Sequence, residues 1–174
     1  MPRQFVSFDW ALKKLLRSKA NFGILEGFLS ELLHDDIKIQ SVLESESNKE
    51  NDLGKANRVD LLVKNQKEEL IIIEVQHDRQ ASYLQRILFG TSKVITENIA
   101  EGDVYDQVKK VISVNIVYFD LGQGEDYIYH GTTKFIGLHK HDELQLHADQ
   151  KLLYGTDEVY KLFPEYYRVT FQWR

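Results

Sequence analysis

Two apolar segments joined by six polar residues carry the side chains of this sequence that are best suited to chemistry. The first segment, residues 58–63, contains Asp60, and the second, residues 71–76, contains Glu74 and ends at Gln76. Both are rich in branched apolar residues, which predicts two strands, and the short polar connection predicts a hairpin loop. If Asp60 lies opposite Glu74, both acids and Gln76 share one face of the hairpin, because side chains alternate along a strand.

Two acids on one face of a mostly buried hairpin predict a metal site, because the carboxylates repel each other and lose hydration unless a cation lies between them. Mg²⁺ takes oxygen ligands, which Asp60, Glu74 and a main-chain carbonyl near Val75 can supply. Such a metal lowers the pKa of a bound water and stabilises charge on a phosphate. The amide of Gln76 is then expected to orient the water or to bind the phosphate. From spacing alone, an edge-strand carboxylate pair that faces water remains an equal alternative.

The composition predicts one soluble domain over residues 1–174. The chain is 43% hydrophobic and 28% charged, and its formal net charge is -5, which argues against a surface that binds nucleic acid throughout. It contains no cysteine, so disulfides and thiolate metal sites are excluded. The first ten residues lack the apolar stretch of a signal peptide, and no apolar run reaches the ~20 residues of a membrane span. We therefore expect a cytoplasmic protein without a membrane partner.

Apolar periodicity predicts helices and strands that combine into an α/β or α+β fold. Helical spacing predicts a first helix from Ser7, a break at residues 18–21, a second helix that ends near His34, and a third over residues 79–100, whose apolar stripe includes Leu84, Ile87 and Leu88. Strand patterns lie at residues 37–43, 111–119, 127–129, 133–138 and, alternating cleanly, at 167–174. This order predicts a central mixed sheet flanked by helices. The chain ends inside a strand pattern, from which we expect a C-terminally truncated domain.

The acidic motif resembles that of the PD-(D/E)xK nucleases. Asp60 followed by Glu74-Val75-Gln76 on the next strand is similar to the PD-(D/E)xK nuclease family transposases, also called recombination-promoting nucleases. Four further segments are similar to that group in the same order: residues 8–16, 82–86, 102–116 and 163–167. The resemblance covers most of the chain, from about Phe8 to Tyr167.

This resemblance implies a restriction-endonuclease-like core and a metal-dependent DNA endonuclease linked to recombination or transposition. It assigns Asp60 and Glu74 as metal ligands for Mg²⁺ or Mn²⁺ and Gln76 as the third catalytic residue. The sequence departs from the superfamily at two positions: Gln76 stands where a lysine is usual, and Val59 stands where a proline is usual. Relatives also continue beyond Trp173, which agrees with a truncated C-terminus.

Five further residues are candidates for the site. Arg79, Arg86 and Lys93 recur every seven residues, so a helix would place them on one face that could contact DNA phosphates. A solvated helix face or salt bridges are the more ordinary interpretation of this spacing, and Arg86 is the strongest candidate of the three. Asp9 and Glu44 are candidate accessory acids, although an acid near a helix N-terminus commonly serves the helix dipole.

Two other functions remain open at this stage. The missing lysine and the acidic net charge are compatible with a catalytically inactive nuclease fold that binds DNA or another protein. A carboxylate-pair hydrolase acting on sugars would need a separation of ~5–9 Å between the carboxyl groups across a groove, which a directly paired hairpin makes awkward. The sequence is compatible with a homo-oligomer but does not specify one.

Overall fold

The computed structural model describes residues 21–43 and 60–170, and in these ranges a mixed sheet lies between helices. The helices are α1 (Phe22–Leu33), α2 (Tyr83–Glu97) and α3 (Ala148–Tyr154). The strands are β1 (Ile39–Leu43), β2 (Leu61–Asn65), β3 (Leu70–Gln76), β4 (Val111–Val117), β5 (Ile128–Gly131) and β6 (Glu165–Thr170). Short 3₁₀ helices cover Tyr105–Gln107 and Val159–Leu162.

The six strands form one sheet in the order β1-β2-β3-β4-β6-β5. Strands β3, β4 and β6 are parallel, whereas β1 and β2 on one side and β5 on the other pair antiparallel with their neighbours. Strands β3 and β4 are almost entirely buried and mainly apolar, as expected for strands covered on both faces, whereas β6 alternates buried and half-buried residues over most of its length. The expectation of an α/β fold with a central mixed sheet is confirmed.

The β2–β3 hairpin has the predicted register. Leu62 pairs with Ile72 and Lys64 pairs with Leu70, as the sequence indicated. The side chain of Asn65 shapes the turn, because its Oδ1 accepts hydrogen bonds from the backbone N–H groups of Lys67, at 3.0 Å, and Glu69, at 2.9 Å. An asparagine that binds the backbone two residues ahead is typical of a tight turn and fixes the register of the strands that follow.

The two faces of the sheet bury different helices. On one face, helix α1 places Leu25, Leu29 and Leu32 against alternate residues of the strands, and these residues form the larger core. On the other face, α2 buries four side chains against the remaining residues of the strands, namely Tyr83, Ile87, Thr91 and Val94. Glu74 projects to the α2 face, because side chains alternate along β3 and the neighbouring Ile73 and Val75 belong to the larger core on the α1 face.

Several sequence-based boundaries are corrected. Helix α2 begins at Tyr83 rather than at Arg79, because the polar residues 77–82 carry the chain from the end of β3 to the helix. Leu84 and Leu88, predicted to be apolar contacts, are 61% and 57% exposed, because the buried stripe is rotated by one residue to begin at Tyr83. The predicted helix that begins near Ser7 lies outside the described residues.

The later strand predictions are partly confirmed. Strand β5 covers the end of the pattern predicted at residues 127–129 and continues to Gly131. The segment at residues 133–138 is not a strand but contains an isolated bridge between Ile136 and Glu143. The C-terminal pattern is present as β6, which begins at Glu165, and its last predicted residues, 171–174, lie outside the described ranges.

Candidate active site

Asp60 lies at the open end of the β2–β3 hairpin, beside the part of β3 that carries Glu74. The last paired residues of the register are Leu61 and Ile73, and Asp60 directly precedes Leu61 as Glu74 directly follows Ile73. The Oδ2 atom of Asp60 accepts a hydrogen bond of 2.8 Å from the backbone N–H of Val75, the residue after Glu74. This bond holds the Asp60 carboxylate against β3.

Helix α2 supplies two partners to the Glu74 carboxylate, which is only 7% exposed. The hydroxyl of Tyr83 donates a hydrogen bond of 3.3 Å to Oε2, and the Nη2 atom of Arg86 lies 3.7 Å from Oε1. One oxygen therefore has a neutral donor and the other has a cation. Because Tyr83 and Arg86 are three residues apart, both project from the same side of the helix.

Burial raises the pKa of the Tyr83 hydroxyl above its ordinary value, and the negative charges of Glu74 and Asp60 raise this pKa further. The hydroxyl therefore keeps its proton near neutral pH and can donate it in a hydrogen bond to Glu74.

Gln76, the third predicted residue, ends β3 on the same face as Glu74. Its Nε2 donates a hydrogen bond of 3.0 Å to the backbone carbonyl of Asp78. The side chain is half-buried and therefore reaches solvent at the mouth of the site. An amide at this position can donate or accept hydrogen bonds, but it supplies no positive charge.

The three basic candidates have different environments. Arg79 precedes α2, so the predicted seven-residue stripe on one helix does not include it. Lys93 forms an ion pair of 3.4 Å with Glu97 one turn later, which agrees with the salt-bridge interpretation of this residue. Arg86 alone contacts a predicted site residue, Glu74. The candidate accessory acids, Asp9 and Glu44, lie outside the described residues.

Sequence reasoning missed two polar residues on the same face. Asn115 of β4 is adjacent to Glu74 in the parallel register, and Arg168 of β6 is adjacent to Asn115. Asn115 is 1% exposed, and its Nδ2 donates to the carbonyl oxygens of Ser113, at 3.2 Å, and Tyr167, at 3.4 Å. Polar Ser113 and Asn115 alternating within an otherwise apolar strand were the available signal.

The donor atoms at this site suit a hard divalent cation. Asp60 and Glu74 offer carboxylate oxygens, and Mg²⁺ commonly binds through one or two carboxylates while it retains several waters. Within residues 21–43 and 60–170, no group of three or more His, Cys, Asp or Glu residues is arranged to hold a metal ion. Asp60 and Glu74 would therefore hold such a cation only if waters completed its ligand set.

A comparison with known protein families identifies the family of this chain. The family model of the PD-(D/E)XK nuclease family transposase matches residues 6–154. No curated protein and no solved structure matches the chain. The family match indicates a role related to nucleases or transposases, and the sheet and its flanking helices are consistent with a PD-(D/E)XK nuclease-like fold. Among the described helices, none combines the length and the apolar character needed to cross a membrane.

Proposed function

Because this chain belongs to the PD-(D/E)XK nuclease family transposases, we propose that it is a metal-dependent endonuclease that hydrolyses phosphodiester bonds of DNA in recombination or transposition. The observation that carries the proposal is the convergence of Asp60 and Glu74 on one face of the hairpin. Mg²⁺ or Mn²⁺ is the proposed cofactor, and Asp60 and Glu74 are its proposed ligands.

Neighbouring groups would hold the two proposed metal ligands in position. Asp60 accepts a hydrogen bond from the N–H of Val75, which orients its carboxylate beside the strand that carries Glu74. Tyr83 donates to Glu74 and thereby fixes the direction of that carboxylate without neutralising it. A bound divalent cation would supply water ionisation and charge neutralisation at the scissile phosphate.

Gln76 and Arg86 are proposed to contact the substrate. Gln76 ends β3 two residues beyond Glu74, where its amide would orient the attacking water or donate to a phosphate oxygen. Arg86 has a guanidinium group that suits bidentate binding of a phosphate. Its side chain is 28% exposed, so it can reach a DNA backbone at the surface. Lys93 and Arg79 remain weaker candidates for more distant phosphates.

A second candidate function is a catalytically inactive nuclease fold that binds DNA or a protein. The hydrogen bond between the Gln76 amide and the carbonyl of Asp78 favours it, because this contact occupies the amide donor at the position where the superfamily usually has a lysine. An inactive module would still bind DNA through Arg86, but it would not cleave.

Plasmid nicking separates the two candidates. Supercoiled plasmid is incubated with the protein at several concentrations of Mg²⁺ or Mn²⁺ and with a chelator. Asp60→Asn and Glu74→Gln remove one charge each without changing the shape of the side chain. Asp106→Asn is the matched control, because Asp106 is an exposed acid in a 3₁₀ helix before β4.

We expect metal-dependent nicking by the wild-type protein and by Asp106→Asn, and a loss of at least about 100-fold in each site variant. Binding of the plasmid without nicking at any metal concentration would support the inactive module. Equal nicking by the wild type and Asp60→Asn would contradict the assignment of Asp60.

A further inference from the structure

We propose that Arg86 competes with a divalent cation for Glu74: its guanidinium group pairs with Glu74 until a divalent cation binds and is then released to bind a DNA phosphate. This inference rests on the proposed function and adds a coupling between cofactor and substrate. In this proposal, Arg86 exchanges the carboxylate of Glu74 for a DNA phosphate.

The contact between Arg86 and Glu74 is weak enough to exchange. An arginine that stabilises a fold through a carboxylate typically forms two parallel hydrogen bonds of about 2.8 Å. Here the nearest guanidinium nitrogen is 3.7 Å from Glu74 Oε1, and Nη1 lies 3.5 Å from Gln80 Oε1. The Nε atom of Arg86 is buried and has no hydrogen-bond partner within the described parts of the chain. The guanidinium group is therefore attracted by the charge of Glu74 but is not locked by geometry.

The two partners of Glu74 have opposite consequences for a metal ion. Tyr83 is fully buried and neutral, so it can stay hydrogen-bonded to Oε2 while a metal binds, as the outer partners of metal ligands usually do. Arg86 carries the same charge sign as the metal and lies at the other oxygen, Oε1. Two cations at one oxygen repel each other, so metal binding and the Arg86–Glu74 pair compete.

A released Arg86 side chain could turn toward solvent and a bound substrate. The side chain of Arg86 is 28% exposed and that of Glu74 is 9% exposed, so Arg86 is the more accessible of the two partners. Coupling between two ligands is reciprocal in binding free energy. If the metal frees Arg86 for DNA, the metal must raise the affinity for DNA through Arg86, and DNA must raise the affinity for the metal.

The first test measures metal affinity without any reaction. Mn²⁺ is titrated calorimetrically into the full chain and into Arg86→Gln, Arg86→Met and Tyr83→Phe. Removing the competing cation is expected to lower the Kd for Mn²⁺ by about 5- to 10-fold, which is a typical allosteric coupling. Tyr83→Phe is expected to raise the Kd by about 10-fold, because a carboxylate ligand loses its orienting partner. Arg86→Met retains the apolar stem of the side chain and serves if Arg86→Gln fails to fold.

Lys140→Gln is the matched control for charge. It removes one positive charge from an exposed position outside α2, and we expect an unchanged Kd for Mn²⁺. An unchanged or raised Kd in the Arg86 variants would overturn the inference. A Kd lowered equally in Lys140→Gln would also overturn it, because the effect would then come from net charge and not from the contact with Glu74.

The second test measures DNA affinity with and without a metal. Ca²⁺ serves as an oxygen-ligated probe, and binding of a labelled duplex is followed by fluorescence anisotropy at constant ionic strength. We expect Ca²⁺ to tighten binding by the wild type by about 5-fold or more and to have no such effect in Arg86→Gln. An equal gain in both proteins would contradict the release of Arg86.

The failure of this inference differs from the failure of the proposed function. If the wild type binds no Mn²⁺, or if Glu74→Gln binds it as tightly as the wild type, the proposed metal site is wrong and the inference falls with it. If the wild type binds Mn²⁺ through Glu74 but the Arg86 variants bind it no more tightly, the metal site stands and only the role of Arg86 is wrong.

Discussion

The hydrogen bond between Tyr83 and Glu74 makes a quantitative prediction for Tyr83→Phe. The substitution removes a buried hydroxyl that donates to a carboxylate and leaves the ring packed against Phe119 and Ile87. Hydrogen bonds to charged groups contribute about 1.5–3 kcal/mol. The distance of 3.3 Å is long, so we take the lower value and expect a loss of about 1.5 kcal/mol near neutral pH.

We expect the loss of stability in Tyr83→Phe to become smaller as the pH rises above about 10, the ordinary pKa of tyrosine. The pKa of Tyr83 in the folded protein is raised above the ordinary value of 10.0, with burial as the largest cause and Glu74 as the next. A group with a raised folded pKa contributes its full stability below the unfolded pKa and loses it as the pH rises above that value. At about pH 11 the unfolded chain releases this proton and gains about 1.4 kcal/mol, a gain that phenylalanine cannot have. The wild type and Tyr83→Phe should therefore become nearly equal in stability there.

Urea denaturation at about pH 8 and about pH 11 measures both values, provided that the m-values agree. Tyr105→Phe is the matched control, because Tyr105 is 91% exposed and its substitution should not change the free energy of unfolding at either pH. A difference between the wild type and Tyr83→Phe that stays constant over this range would refute the reasoning. It would show that the hydroxyl ionises in the folded protein as it does in the unfolded chain, and that it is not held between burial and the two carboxylates.

Further substitutions test the core and the charges. Leu29→Ala, in the fully buried face of α1, should cost about 2–5 kcal/mol in urea denaturation, whereas Leu152→Ala at an 86% exposed position should change stability by less than about 0.5 kcal/mol. Lys110→Met removes a charged donor from the 6% exposed Glu165, which keeps His130 as a partner, and should cost about 2 kcal/mol; a stability equal to the wild type would show that the pair is dispensable. Glu74→Gln should abolish Mn²⁺ binding in calorimetry and lower the metal-free free energy of unfolding by about 1.5 kcal/mol, because Tyr83 and Arg86 lose the buried anion that they contact.

The hairpin could be predicted because its determinants are local. Two apolar runs and six polar residues between them leave few ways to pair, and the pairing of Leu62 with Ile72 follows directly. The start of α2 could not be predicted in the same way. Residues 77–82 are polar, and their composition is compatible with either an exposed helical turn or a loop. The burial of Tyr83 under the helix decides between these two, and it depends on tertiary contacts.

The sequence could not predict, for a different reason, that Glu74, Asn115 and Arg168 lie side by side on three neighbouring strands. These residues belong to β3, β4 and β6, and their adjacency depends on the parallel register of three strands. The polar Asn115 in an apolar strand was visible in the sequence, but its neighbours were not. A search for polar residues at alternate positions of buried strands would have marked Asn115 without assigning it to the acids.

The position of α2 explains how the buried carboxylate of Glu74 is stabilised. Residues three apart on a helix are neighbours, so Tyr83 and Arg86 both reach the carboxylate of Glu74, while Leu84, rotated by about 100°, faces away and is 61% exposed. The anion thus receives a neutral donor and a cation from one helix. The positive charge of Arg86 offsets the cost of burying this anion, and a guanidinium group is also suited to bind phosphate.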